Sequence, residues 1–93
     1  MNQPIRILIA DDHPLFRGGL RALLESIADT EVVGEAATGE EAVEIAMALA
    51  PDVVVMDINM PGLNGIDATR RIVDGSEQVN VLVMTMHDDD EAV

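Results

Sequence analysis

Three apolar runs constrain this chain more than any other feature: "IRILIA" at 5–10, "VVVM" at 53–56 and "VNVLVMT" at 79–85. A strand with one wet face alternates apolar and polar residues. A β-branched run that hardly alternates needs cover on both faces, as the inner strands of a parallel sheet have. A fourth segment, "EVVGEAA" at 31–37, carries charge at both ends and suits a sheet edge. Parallel strands need long crossovers, and the intervening segments carry helical spacing. From Pro14, a first-turn proline, Phe16, Leu20, Leu23, Leu24 and Ile27 form one stripe. Thr38 reads as an N-cap with Glu41 as its capping-box partner, and Val43, Ala46, Met47 and Ala50 follow on one face until Pro51. Asn64 caps a third helix running to about Val73, with Ile66, Thr69, Ile72 and Val73 turned inward. "HDDDEAV" at 87–93 reads as the acidic first turn of a fourth helix. The predicted order is β-α-β-α-β-α-β: an α/β, doubly wound parallel sheet with right-handed crossovers in one small domain.

Composition narrows what such a domain does. Net charge is −13, with five arginines and no lysine, which argues against nucleic-acid binding by this segment. There is no cysteine, hence no disulfide framework and no thiolate metal site. The N-terminal apolar run breaks on two aspartates, unlike a signal peptide. No stretch approaches the ~18 apolar residues of a membrane span, so a soluble, cytoplasmic chain is expected.

The acids fall where such a fold binds ligands, beyond the carboxyl ends of the strands near the switch in strand order. Asp11 and Asp12 follow the first strand, Asp57 ends the third and Thr85 the fourth. A lone aspartate at a strand end is usually a boundary residue. Three acids converging from distant positions would repel one another unless a cation sat between them. Hard oxygen donors without thiolates or paired histidines favour Mg²⁺. A carboxylate beside such an ion can act as a nucleophile towards phosphorus, and phosphoryl transfer needs mainly positioning and charge neutralisation. Thr85 can donate a hydrogen bond to a phosphoryl oxygen. His13 and His87 read as exposed loop or cap residues, and "DDD" at 88–90 as a solvated helix start.

"ILIADDHPLFRGGLRALLE", "VVGEAATGEEAVEIAMALAPDVVVMDINMPGLNGIDATRRI" and "VLVMTMHDDDEAV" together resemble the receiver domain of a bacterial response regulator. The "DDHPLFRGGL" and "MDINMPGLNGIDATRRI" blocks resemble the NarL/LuxR-type branch. The resemblance spans the whole chain in order. It implies a flavodoxin-like (CheY-like) fold with strand order 2-1-3-4-5, and a phosphoacceptor switch, not an enzyme, fed by a histidine kinase. Carried over by position, Asp57 is the phosphoacceptor and Thr85 the switch hydroxyl. Asp12 binds Mg²⁺ directly, Asp11 largely through water, and the Asn59 backbone carbonyl completes the protein ligands. The Asn59 side chain, Met86 and His87 flank the site at positions that tune dephosphorylation.

The family pattern continues past residue 93 with a fifth strand and helix, a lysine that pairs with the phosphoryl group and an aromatic residue that reads the threonine. In this branch a C-terminal helix-turn-helix DNA-binding domain follows. On that reading residues 1–93 are a truncated receiver domain, impaired in phosphorylation because the chain has no lysine. Its fourth strand becomes an exposed apolar edge, expected to be covered in a homodimer or by exchanged elements. A phosphorylation-independent interaction module is the alternative. An aspartyl phosphatase fits less well, because the position two residues after Asp57 holds Asn59, which cannot act as a general acid.

Overall fold

The computed structural model describes residues 3–84. Four parallel strands alternate with three helices: β1 (Ile5–Ala10), α1 (Pro14–Glu25), β2 (Thr30–Ala36), α2 (Gly39–Leu49), β3 (Val53–Asp57), α3 (Gly65–Gly75) and β4 (Asn80–Met84). Their order in the sheet is β2-β1-β3-β4, all neighbours parallel. The weakly patterned second segment is an edge strand, as its charged ends predict. Thr85, Met86, His87 and the expected start of a fourth helix lie outside the described residues.

Alternation along the strands divides the core between the two faces. Leu8, Ala10, Val54 and Met56 point towards α2 and α3, where they pack with Ala42, Ala46, Ala68 and Ile72. Ile7, Ile9 and Val55 point the other way, towards Leu20 and Leu24 of α1. In β2 the register slips between Ile7 and Leu8, so that Val32 pairs with Ile7 and Gly34 with Leu8. The extra residue, Val33, inverts the alternation. Val32 therefore joins the α1-side cluster and Ala36 the opposite one, although the two share parity in sequence. The bulge also turns Glu35 towards α1, where arginines meet it.

The caps follow the sequence. The Thr38 hydroxyl accepts from Glu41 N–H at 3.1 Å, and Asn64 Oδ1 accepts from Asp67 N–H at 2.9 Å. Glu41 reaches back one residue further than a capping box requires, accepting from Ala37 N–H at 2.8 Å.

Several predicted inward residues face solvent instead. Met47 is 43% exposed, Ala50 is exposed, and Ile66 and Val73 are 54% and 49% exposed. The buried positions of α2 and α3 are Gly39, Ala42 and Ala46, and Gly65, Ala68 and Ile72. These two helices pack against each other as well as on the sheet, and small residues permit that approach. Large side chains are displaced to the rim. Leu23 on α1 and Ile27, which the predicted stripe included but which lies past the end of that helix, are also exposed, at 59% and 48%, because one helix alone lies on that face among the described residues.

Candidate functional site

Asp11 and Asp57 prolong the α1-side rows of β1 and β3, two residues beyond Ile9 and Val55. Both are fully buried. Each binds the N–H two residues on: Asp11 Oδ1 accepts from His13 N–H at 2.7 Å, and Asp57 Oδ1 from Asn59 N–H at 2.9 Å. These turns direct the chain away from the sheet while holding each carboxylate in place. The other oxygens, Asp11 Oδ2 and Asp57 Oδ2, are buried without a hydrogen-bond partner. Asp12 Oδ1, also buried and unpartnered, completes the group. Together with His13, the three acids present ligand atoms that all lie within 4.8 Å of one another.

The electrostatics follow from that crowding. Burial pushes the Asp57 carboxyl above the usual carboxylate range; the Asn59 N–H opposes the rise, and the charges of Asp11 and Asp12 add to it. His13 is pushed up by its hydrogen bond to Asp11 and by the charge of Asp12. Its Nδ1 lies 2.9 Å from Asp11 Oδ1, 3.2 Å from Asp12 Oδ1 and 3.8 Å from Asp57 Oδ2. The ring is thus turned onto the acids, although its side chain is 54% exposed. Sequence reasoning read His13 only as an exposed loop or cap residue; it stands at the N-cap of α1, and its orientation over the acids was missed. The adjacent Pro14 was the available signal, since it biases the preceding residue to extended backbone. His13 has φ −100° and ψ 102°.

Two other parts of the site could not be read from spacing. Arg17 Nη1 donates to the Asp11 carbonyl at 2.6 Å while its Nε donates to Glu35 Oε1 at 2.8 Å. It thereby ties the acidic turn to β2. Behind Asp57, the loop 58–64 is held by Glu40, whose Oε2 accepts from Leu63 N–H at 3.1 Å beside Gly62, which adopts φ +75°. The loop also depends on glycines at both ends of its seat. A Cβ at Gly39 would stand 1.8 Å from the Leu63 carbonyl oxygen, and one at Gly65 would stand 2.4 Å from that of Asp57.

Of the residues singled out from sequence, the fold brings Asp11, Asp12 and Asp57 together and sets Asn59 beside Asp57 through its N–H. Thr85 lies outside the described residues; Asp57 pairs in register with Met84, the residue before it. The three acids offer hard, unpartnered oxygens at one point, a donor set that fits a small divalent cation.

A parallel sheet ordered 2-1-3-4, with helices on both faces and acids at its carboxyl edge, is a CheY-like fold. The sequence profile described as the response regulator receiver domain matches residues 7–93, and the chain belongs to this family. It is 47% identical over 83 residues to the response regulator UvrY of Escherichia coli O6:H1, covering 89% of this chain and 38% of that protein. It is 46% identical over 89 residues to the transcriptional regulatory protein DegU of Brevibacillus brevis, covering 96% and 38%. Among solved structures, the signal receiver domain of the putative response regulator NarL from Mycobacterium tuberculosis superposes with a TM-score of 0.86 at 35% identity, covering 98% of this chain and 73% of that one. The chain spans less than half the length of the curated relatives it matches. No helix among the described residues is long and apolar enough to cross a membrane.

Proposed function

We propose that this receiver domain takes a phosphoryl group onto Asp57 from a histidine kinase, with Mg²⁺ bound by Asp11, Asp12, Asp57 and the Asn59 backbone carbonyl. The observation that carries the reading is the pair of buried, unpartnered oxygens, Asp11 Oδ2 and Asp57 Oδ2, in one acidic cleft. Buried polar atoms normally find partners, and an orphaned pair of like charge is costly unless a cation joins it. Bound Mg²⁺ would neutralise the acids and the negative charge that develops on the transferred phosphoryl oxygens.

The chain's own groups perform the rest. Asp57 must be ionised to attack. Burial and the neighbouring acids hold it partly against that state, and the Asn59 N–H favours it by hydrogen-bonding the charged form. The carboxylate attacks the phosphorus of a phosphohistidine; a C–O–P linkage forms, the P–N bond breaks, and the imidazole leaves with its electron pair and takes up a proton. Thr85 is the hydroxyl assigned to the phosphoryl group. Arg17 holds the Asp11 carbonyl, and Glu35 neutralises that arginine so that its charge is not spent on the acids. In a longer protein of the relatives' kind, the phosphorylated domain would act through a DNA-binding domain in the cytoplasm.

Incubation with MgCl₂ and acetyl phosphate, followed by intact-mass measurement, tests the reading. One added phosphoryl mass is expected in wild type and none in Asp57→Asn. Absence of added mass in wild type would favour an interaction module that works without phosphorylation. The exposed β4 residues Leu82 and Val83, 60% and 45% exposed, support a contact between two copies along that strand. A strictly monomeric species by light scattering at high concentration would exclude that contact.

A further inference from the structure

The acidic cleft contains a group that a magnesium site does not require. The His13 ring, exposed on one side, keeps Nδ1 within 2.9–3.8 Å of one oxygen from each of Asp11, Asp12 and Asp57. Two local features hold it there. Pro14 favours an extended His13 backbone, and the His13 N–H is anchored on Asp11 Oδ1 at 2.7 Å. The ring is therefore placed by the same turn that places the first acid.

The spacing of His13 Nδ1 and the acid oxygens, all within 4.8 Å of one another, is on the scale of one ion's coordination shell. Ligands about 2.1 Å from an octahedral ion stand roughly 3 Å apart when adjacent and roughly 4.2 Å apart when opposite. Two of the Nδ1–oxygen distances, 2.9 and 3.2 Å, are near the adjacent spacing and the third, 3.8 Å, needs a shift of a few tenths of an ångström, while Asp11 Oδ2 and Asp57 Oδ2 are buried with no hydrogen-bond partner. Carboxylate, carbonyl and water suit Mg²⁺, whereas an imidazole nitrogen suits ions later in the first transition row. A mixed set of three carboxylates and one imidazole is a better home for Co²⁺, Ni²⁺ or Zn²⁺ than acids alone.

We propose that His13 is a nitrogen ligand that makes the cleft a binding site for a divalent transition ion of the Co²⁺, Ni²⁺ and Zn²⁺ class, in competition with Mg²⁺. The ion takes the neutral ring through Nδ1, in place of the contact of that atom with Asp11 Oδ1. The site shares its acids with the proposed phosphoryl site but needs no phosphorylation, so failure of Asp57 to accept a phosphoryl group would leave it standing.

Calorimetric titration of the full chain with CoCl₂ and MgCl₂ tests the assignment, in wild type and His13→Asn. Asparagine keeps a favourable N-cap, so the helix start is preserved. The variant should lose at least about tenfold in Co²⁺ affinity, the scale on which even outer-shell partners of metal ligands act. Its Mg²⁺ affinity should change by less than about threefold, because Mg²⁺ has little use for imidazole. Equal loss for both ions, no loss for either, or no Co²⁺ binding by wild type would overturn the proposal. Nitrogen NMR of the histidine rings during ZnCl₂ addition gives a second reading that needs no variant at position 13. With His87→Asn used to assign the two rings, the His13 Nδ1 resonance should move to a metal-bound position. Movement of the His87 ring alone would overturn it as well.

Discussion

Two groups of acids lie close together around the start of α1, and they hold their charge in opposite ways. Glu35 receives Arg17 Nε at 2.8 Å and also Arg21 Nη1, and those arginines, Arg21 first, hold its carboxyl below the usual range. Asp57 has one N–H, no arginine and two neighbouring carboxylates, and its carboxyl is pushed up. The first group is electrically closed and stabilises the fold. The second is open, and its unmatched oxygens mark the place where a cation is wanted. Arg17 separates the two, because it spends its charge on Glu35 and offers the site only a hydrogen bond to the Asp11 carbonyl.

Substitutions that break either side should differ in size and sign. The largest effect is expected at the seat of the open group. Gly65→Ala would press a Cβ against the Asp57 carbonyl and the Ile58 Cα at 2.4 and 2.5 Å. Neither is the end of a flexible side chain, so urea unfolding should show a loss of about 3 kcal/mol. In the closed group, Arg17→Gln removes two charge-assisted bonds that are four-fifths buried on the arginine side, and should cost about 2 kcal/mol. Arg21→Gln, whose side chain is 41% exposed, should cost less than about 1 kcal/mol. An equal loss from both arginines would show that the Asp11 carbonyl contact has no special weight.

The two groups should also separate by pH in the metal-free chain. Asp57 has a raised folded pKa, so it contributes stability that is present below its unfolded value near 3.8 and lost as pH rises through the folded value. His13 acts in the same sense: its contribution is full below 6.5 and lost as pH rises through its raised folded value. Glu35 is the reverse, contributing above its unfolded value of 4.5 and losing that as pH falls through the lowered folded value. Stability should therefore rise as a neutral solution is mildly acidified, then fall once Glu35 protonates. Asp57→Asn should flatten the rise and, near neutrality, stabilise the metal-free chain by about 1 kcal/mol. Thermal unfolding across pH, with and without a chelator, reads both effects. The smallest change is expected at Gly18→Ala, on α1 beside the closed group. Nothing lies within 4 Å of the new Cβ, so the helix should gain roughly 0.5–1 kcal/mol.

How far these features were legible in sequence depended on their range. Thr38 and Asn64 cap their helices through contacts three residues away, and both were readable. The strands were readable because β-branched runs without alternation have few other homes. The inward faces of α2 and α3 were misread where Met47, Ile66 and Val73 outweighed Ala42 and Ala68, although Ala46 and Ile72 were placed inward correctly. Hydropathy ranks side chains by transfer cost, while burial between two helices and a sheet is limited by space. Arg17 with Glu35, eighteen residues apart, was invisible for a different reason: the bulge at Val33 sets which face Glu35 occupies.

The sequence by itself determined that three runs would be parallel strands and that Asp11, Asp12 and Asp57 would end at one edge, because strand period and crossover handedness leave few other arrangements. Of the three, β1 and β3 are inner strands, whereas β4, read as covered on both faces, is an edge among the described residues with Leu82 and Val83 exposed. Only the tertiary structure decided which acids stay unpaired. That choice depends on where Arg17 is held and on His13 turning over the cleft. Both are distances across space that no pattern along the chain encodes.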